Sequence, residues 1–259
     1  MSQLTEAIVE ATRLGHKAFI PYIMAGDGGL DTLKPTILKL QQLGVTAIEV
    51  GIPFTDPVAD GPTIEEAAVR ALAKGTTLRK VLETLASFAD EITVPLVAMT
   101  YLNPILAYGI DAFAKDAYEA GIRGVIIPDM PLEESTIVHP SLKAYGVDLV
   151  QLVSLTSTPE RIEKLTKASE GFIYAVTVNG ITGARSTFEG DLESHFKKIQ
   201  SYTDTPVLAG FGISTPEQVK QFGTFTSGVI VGSKIVDSLA KDDWDTIESL
   251  VKASKVQIL

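Results

Sequence analysis

The chain has no cysteine at all among its 259 residues, only three histidines and a single tryptophan. Without cysteine there is no disulfide, no thiolate nucleophile and no thiolate-ligated zinc or iron–sulfur cluster, and the composition reads as intracellular. Basic residues are also scarce: 22 Lys and Arg against 32 Asp and Glu leave a formal net charge of −10. A field of that sign repels nucleic-acid backbones and anionic membranes, so neither is an expected partner. No apolar run approaches the length that spans a bilayer. Residues 1–12 mix Leu4, Ile8 and Val9 with Glu6 and Glu10, reading as a short N-terminal helix. They lack the basic start and apolar core of a signal peptide, so a cytoplasmic setting is expected.

What is present is a long series of short β-rich runs. They are AFIPYIM from Ala18, VTAIEV from Val45, VPLVAMT from Val94, GVIIPD from Gly124, VDLVQLV from Val147, GFIYAVTV from Gly171, TPVLAGFG from Thr205 and GVIVG from Gly228. None alternates apolar with polar, which marks strands buried on both faces, as in a parallel sheet covered by helices. Helical stretches alternate with them: 33–43, 77–89, 111–120, 133–145, 159–168, 192–201, 216–222 and 235–251, with Thr158, Asp191 and Thr215 as N-caps for three. Eight such pairs in about 250 residues predict a single-domain (β/α)8 TIM barrel spanning the whole chain. A doubly wound open sheet is the rival, but Ala25-Gly26-Asp27-Gly28-Gly29 after the first strand lacks the dinucleotide fingerprint. After the second strand comes an extra stretch of roughly 20 residues, a long loop at the end of the barrel where active sites stand.

The histidines, His16, His139 and His195, all fall away from strand C-termini, and no strand contains a lysine. A His-ligated metal and a Schiff-base lysine are therefore disfavoured, and carboxylate acid–base chemistry remains. Glu49 lies between Ile48 and Val50 near the end of the second strand. Burial there raises a carboxyl pKa toward the range useful for proton transfer; the alternative is a structural carboxylate paired with a nearby cation. Asp60, in the loop that leaves that strand, reads either as a turn former before Gly61 or as a second carboxylate facing the same mouth.

Glycine clusters follow the last three strands: Asn179-Gly180-Ile181-Thr182-Gly183, Gly210-Phe211-Gly212-Ile213-Ser214 and Gly232-Ser233-Lys234. Singly each reads as a turn, but together the last two match the phosphate site of barrel βα loops, where backbone N–H groups and a helix N-terminus meet an anion. Tyr22, Met99, Tyr101, Ile126, Tyr174, Phe211 and Ile230 lie near strand ends and either wall an apolar slot or pack the barrel.

Ile48-Glu49-Val50-Gly51-Ile52-Pro53-Phe54-Thr55-Asp56-Pro57 with Ala59-Asp60-Gly61-Pro62 closely resembles the tryptophan synthase alpha subunit family. The likeness extends to Tyr101-Leu102-Asn103-Pro104, Pro128-Asp129-Met130-Pro131, Gly180-Ile181-Thr182-Gly183, Gly210-Phe211-Gly212-Ile213-Ser214 and Val231-Gly232-Ser233, from about Phe19 to the C-terminus. The resemblance implies retro-aldol cleavage of indole-3-glycerol phosphate to indole and glyceraldehyde 3-phosphate, with no metal or organic cofactor in this chain. It implies that Glu49 moves the proton at the indole carbon and that Asp60 accepts the indole N–H. It puts Tyr174 and Phe211 near the indole, Tyr101 near the carboxylate, and Gly183, Gly212, Gly232 and Ser233 around the phosphate. Thr182 falls on a loop that closes over substrate in the family. The implied partner is a pyridoxal-phosphate beta subunit in an alpha2beta2 assembly, contacted by Pro53 to Asp56, the segment near Asn103 to Tyr108, and Asp129 to Pro131. Tyr22, where the family commonly has Phe, and Ala184 to Thr187 depart from its pattern. A non-catalytic phosphate-binding barrel is the alternative from another class.

Overall fold

A computed structural model describes residues 1–176, 185–210 and 212–255, with the backbone alone for 185–191. Eight parallel strands close into a barrel in chain order, the eighth pairing with the first. They are β1 (Ala18–Met24), β2 (Ile48–Gly51), β3 (Leu96–Met99), β4 (Ile122–Ile126), β5 (Asp148–Ser154), β6 (Ile173–Val176), β7 (Val207–Gly210) and β8 (Gly228–Val231). Around them lie α1 (Gln3–Arg13), α2 (Leu33–Gln42), α3 (Pro62–Ala73), α4 (Leu78–Ala86), α5 (Leu102–Tyr108), α6 (Ile110–Glu119), α7 (His139–Ala144), α8 (Pro159–Ala168), α9 (Arg185–Gln200), α10 (Pro216–Phe225), α11 (Ser233–Ala240) and α12 (Trp244–Ser254). The expected (β/α)8 architecture is thus the one observed. No helix among the described residues is long and apolar enough to cross a membrane.

The absence of polar alternation has a simple cause. Ile48 and Val50 of β2 pack outward against the helices, while Ala47 points into the barrel among Ile20, Val97, Ile126, Val150, Phe172, Leu208 and Ile230. Both faces are apolar because both are covered. Leu4 and Ile8 of α1 join the inner cluster, so the N-terminal helix seals one end of the barrel. Leu4 fits where Gly124 and Gly171 have no side chain; a Cβ on either would lie 2.7 Å from its Cδ2. Ser2 caps α1 and also donates to Asp148 Oδ2 at 2.5 Å, tying the helix to the start of β5.

Several local expectations need correction. The extra stretch after β2 is only partly loop: it continues into α3, which starts at Pro62, a residue suited to a first turn because its missing N–H has no acceptor there. A further helix, α5, follows β3, where none was expected. Asp191 is no cap but lies inside α9, which begins at Arg185. The stretch 133–145 divides into a 3-10 segment, Leu132–Ile137, and α7, with Pro140 confined to the first turn. The stretch 235–251 divides into α11 and α12 at Asp242, whose φ of 53° cannot continue a helix. Thr158 and Thr215 do cap α8 and α10, the latter in a full capping box with Gln218.

Candidate active site

Strand register brings the site together. Glu49 pairs with Tyr22 on β1 and with Val97 on β3, so its side chain shares the barrel interior with theirs. It is 2% exposed, and its Oε2 has no hydrogen-bond partner among the described residues. Glu49 also forms no ion pair among those residues, so no described cation neutralises the carboxylate. Burial, aided by the charge of Asp60, pushes its carboxyl up to about 8. Near neutral pH this group is an acid with a proton to give.

Asp60 ends the loop from β2, half-buried, just before α3. Its pKa is raised by burial, and a hydrogen bond from Tyr101 opposes the rise. Tyr101, following β3 and 2% exposed, also accepts the Ala59 N–H at 3.1 Å. One phenol therefore holds both the backbone and the carboxylate of this loop. Phe54 lies against the same ring, with centroids 5.3 Å apart. Burial pushes the Tyr101 hydroxyl up to about 12, so it stays a neutral donor.

Tyr22 and Tyr174 stand close enough to Glu49 that its charge, after burial, helps raise both phenols well above their ordinary value. Each ring lies over a glycine at a strand end. A Cβ on Gly51 would fall 1.9 Å from the Tyr22 hydroxyl, and one on Gly210 would fall 2.3 Å from Tyr174 Cε1. These glycines make room for the aromatic walls, a role that sequence reading did not assign. Ile126 and Ile230 are buried in the same interior, and Met99 is half-buried beside them.

Gly232 precedes α11 and Ser233 opens it, so the first N–H groups of that helix lack intrahelical acceptors. Gly212, at φ 75°, takes a conformation that favours glycine. Both lie just past strand ends on the same side of the barrel as Glu49. Thr182, Gly183 and Phe211 lie outside the described residues. Asp56, Asp129 and Pro131 are exposed on loops at this end and Asn103 is exposed in the first turn of α5, whereas Pro53 is buried. Asp129 accepts the Leu102 N–H at 3.0 Å, which joins its loop to the start of α5.

A family model described as tryptophan synthase alpha chain matches residues 9–258. The chain belongs to the tryptophan synthase alpha chain family. The tryptophan synthase alpha chain of Bacillus cereus strain ATCC 14579 is 48% identical over 250 residues, covering 96% of this chain and 97% of that one. Among solved structures, tryptophan synthase of Mycobacterium tuberculosis superposes with a TM-score of 0.90 at 32% identity, covering 98% of this chain and 99% of that chain. Tryptophan synthase subunit alpha of Legionella pneumophila gives 0.88 at 30% identity, with 98% of each covered. Membership assigns the chain to the alpha reaction of tryptophan biosynthesis.

Proposed function

We propose that this barrel cleaves indole-3-glycerol phosphate, with Glu49 as the acid–base group and Asp60 as the carboxylate for the indole N–H. The observation that carries the reading is Glu49 itself: buried, protonated near neutrality, with one oxygen left without a partner among the described residues. Glu49 gives its proton to the indole ring carbon that bears the glycerol chain. The ring becomes an iminium, and the negative charge of Asp60 stabilises it across the N–H. The newly formed Glu49 carboxylate then takes the proton of the adjacent glycerol hydroxyl. The carbon–carbon bond breaks, its electrons return to the ring, and indole and the aldehyde leave with Glu49 protonated again. No step requires a metal or an organic cofactor.

Tyr101 supports the role of Asp60 by fixing that carboxylate, and the buried rings of Tyr22 and Tyr174 offer aromatic walls for an indole. Phosphate is assigned to the N–H groups opening α11 at Ser233, with Gly232 and Gly212 allowing close approach. The partner is assigned as the tryptophan synthase beta subunit, which would carry the pyridoxal phosphate. The support for a docking face is local: the loops of Asp56 and Asp129 and the start of α5 at Asn103 lie at one end of the barrel, and Val58 and Leu106 there are 77% and 46% exposed.

The test is indole release by the purified chain, with and without a beta subunit, beside Glu49→Gln. Turnover should fall by about 10²-fold or more in the variant, with the fold retained. Undiminished turnover would overturn the assignment of Glu49.

A further inference from the structure

Asp60 sits two residues before α3, whose N-cap is Gly61 and whose first turn holds Pro62. The position of this carboxylate is therefore tied to the position of the helix. Yet the buried face of α3 is poor in features that would fix it. Ile64, Ala67, Ala68 and Ala71 pack against Tyr22, Met24 and Val236, and three of those four helix residues are alanines. Such an apolar face gives non-directional burial, which carries no hydrogen bond to set the register of the helix.

A polar clamp supplies the direction at the far end. Arg70 donates from Nε and NH2 to the two oxygens of Asp27, each at 2.8 Å, in a forked pair. One turn on, Lys74 Nζ donates to the Gly28 carbonyl at 2.5 Å. Beyond the helix, Thr76 closes on Gly26 so tightly that a Cβ there would lie 2.1 Å from Thr76 Oγ1. Gly26, at φ 82°, and Gly28, at φ 95°, shape the turn after β1 to present Asp27 and this carbonyl. The Arg70 and Asp27 side chains are 45% and 16% exposed, so the pair adds little to global stability. What a bidentate fork adds is orientation.

We propose that the Arg70–Asp27 fork is a positioning element for the reaction, setting the tilt and register of α3 and thereby the place of Asp60 over Glu49. It rests on the reading of Asp60 given above. Arg70 lies about 12 Å along the helix from Pro62, so a tilt of about 5° moves the Asp60 end by about 1 Å. A shift of that size at a reacting group is enough to cost one to two orders of magnitude in rate. The same helix packs on α11, so the fork also holds the spacing between Asp60 and the proposed phosphate end.

The experiment compares Arg70→Ala, Asp27→Ala, the double variant and Arg70→Lys, as full chains with saturating beta subunit and indole-3-glycerol phosphate as substrate. Each alanine variant should lower kcat about tenfold with KM within twofold. The double variant should be no slower than either single one, because both remove the same fork. Lysine, with charge but no fork, should recover part of the loss. In an Asp60→Asn background, measured at high enzyme concentration, Arg70→Ala should add less than a twofold loss. Wild-type kcat in Arg70→Ala and Arg70→Lys would overturn the proposal. So would an undiminished tenfold loss in the Asp60→Asn background, which marks a general structural role. Asp60→Asn with wild-type kcat would instead overturn the reading of Asp60, and the inference with it.

Discussion

Glu49 combines two demands that conflict. The acid–base role proposed for it needs a pKa near the working pH, and the burial that raises it to about 8 makes the ionised form costly to hold. Between pH 4.5 and about 8 the folded chain keeps a proton that the unfolded chain has released, so this residue's contribution to stability falls as pH rises through that window. Glu49→Gln carries no charge at any pH. It should match wild type at pH 5 to within about 1 kcal/mol and exceed it by ~3 kcal/mol at pH 9, where the folded wild type must hold a bare carboxylate. Urea denaturation midpoints at the two pH values check this; a variant equally stable or weaker at pH 9 would show that the carboxylate is well solvated. The importance of Glu49 was legible in sequence, because a charged residue between Ile48 and Val50 in a strand buried on both faces needs a reason. The dependence of Tyr22 on Gly51, and of Tyr174 on Gly210, was not legible. Each pair joins neighbouring strands, and only the barrel register sets ring over glycine.

Among the elements, strands were easier to read than the pieces between them. A continuous apolar run with β-branched residues needs no tertiary knowledge, whereas α3 follows a stretch of Pro, Gly and Asp that reads as loop. Its signal was nevertheless present: Gly61-Pro62 is a helix start, and Ile64, Ala67, Ala68 and Ala71 hold helical spacing. The split of α11 from α12 turns on one positive φ at Asp242, a choice that local propensity does not dictate. At this scale the proposed phosphate site rests on the glycines that follow β7 and β8. Gly212→Asp would combine strain at φ 75° with a like charge beside the anion. It should raise KM for indole-3-glycerol phosphate at least about tenfold, with the far-UV spectrum unchanged. An unaltered KM in steady-state assays would place the phosphate elsewhere.

At the level of the whole molecule, the two ends of the barrel are built for different work. One end is closed by α1, with Leu4 completely buried against positions kept free by Gly124 and Gly171. Leu4→Ala should cost about 2–5 kcal/mol through the cavity it leaves. Because the change is at the end opposite Glu49 and Asp60, kcat should stay within about twofold at temperatures where the variant is folded. Chemical denaturation beside turnover measures both, and a loss of kcat without a loss of stability would mean that the ends are coupled. The other end gathers Glu49, Asp60, the opening of α11, the exposed loops of Asp56 and Asp129, and the start of α5 at Asn103. The chemistry and the docking proposed above thus share one rim, as befits a barrel whose βα loops vary while its strands hold shape.

The sequence by itself determined the class of fold and the kind of chemistry. Eight doubly apolar strands in one chain leave few architectures, and the lack of cysteine, strand lysine and well-placed histidine leaves carboxylates to move protons. Tertiary structure alone decided which groups face one another. Among the described residues Glu49 meets no cation, Tyr101 holds Asp60, and Arg70 reaches Asp27, because closing the barrel sets which residues distant in sequence come within hydrogen-bond range. The physical reason is that local pattern governs burial and backbone shape, whereas pKa values and positioning depend on neighbours that arrive only when the barrel closes.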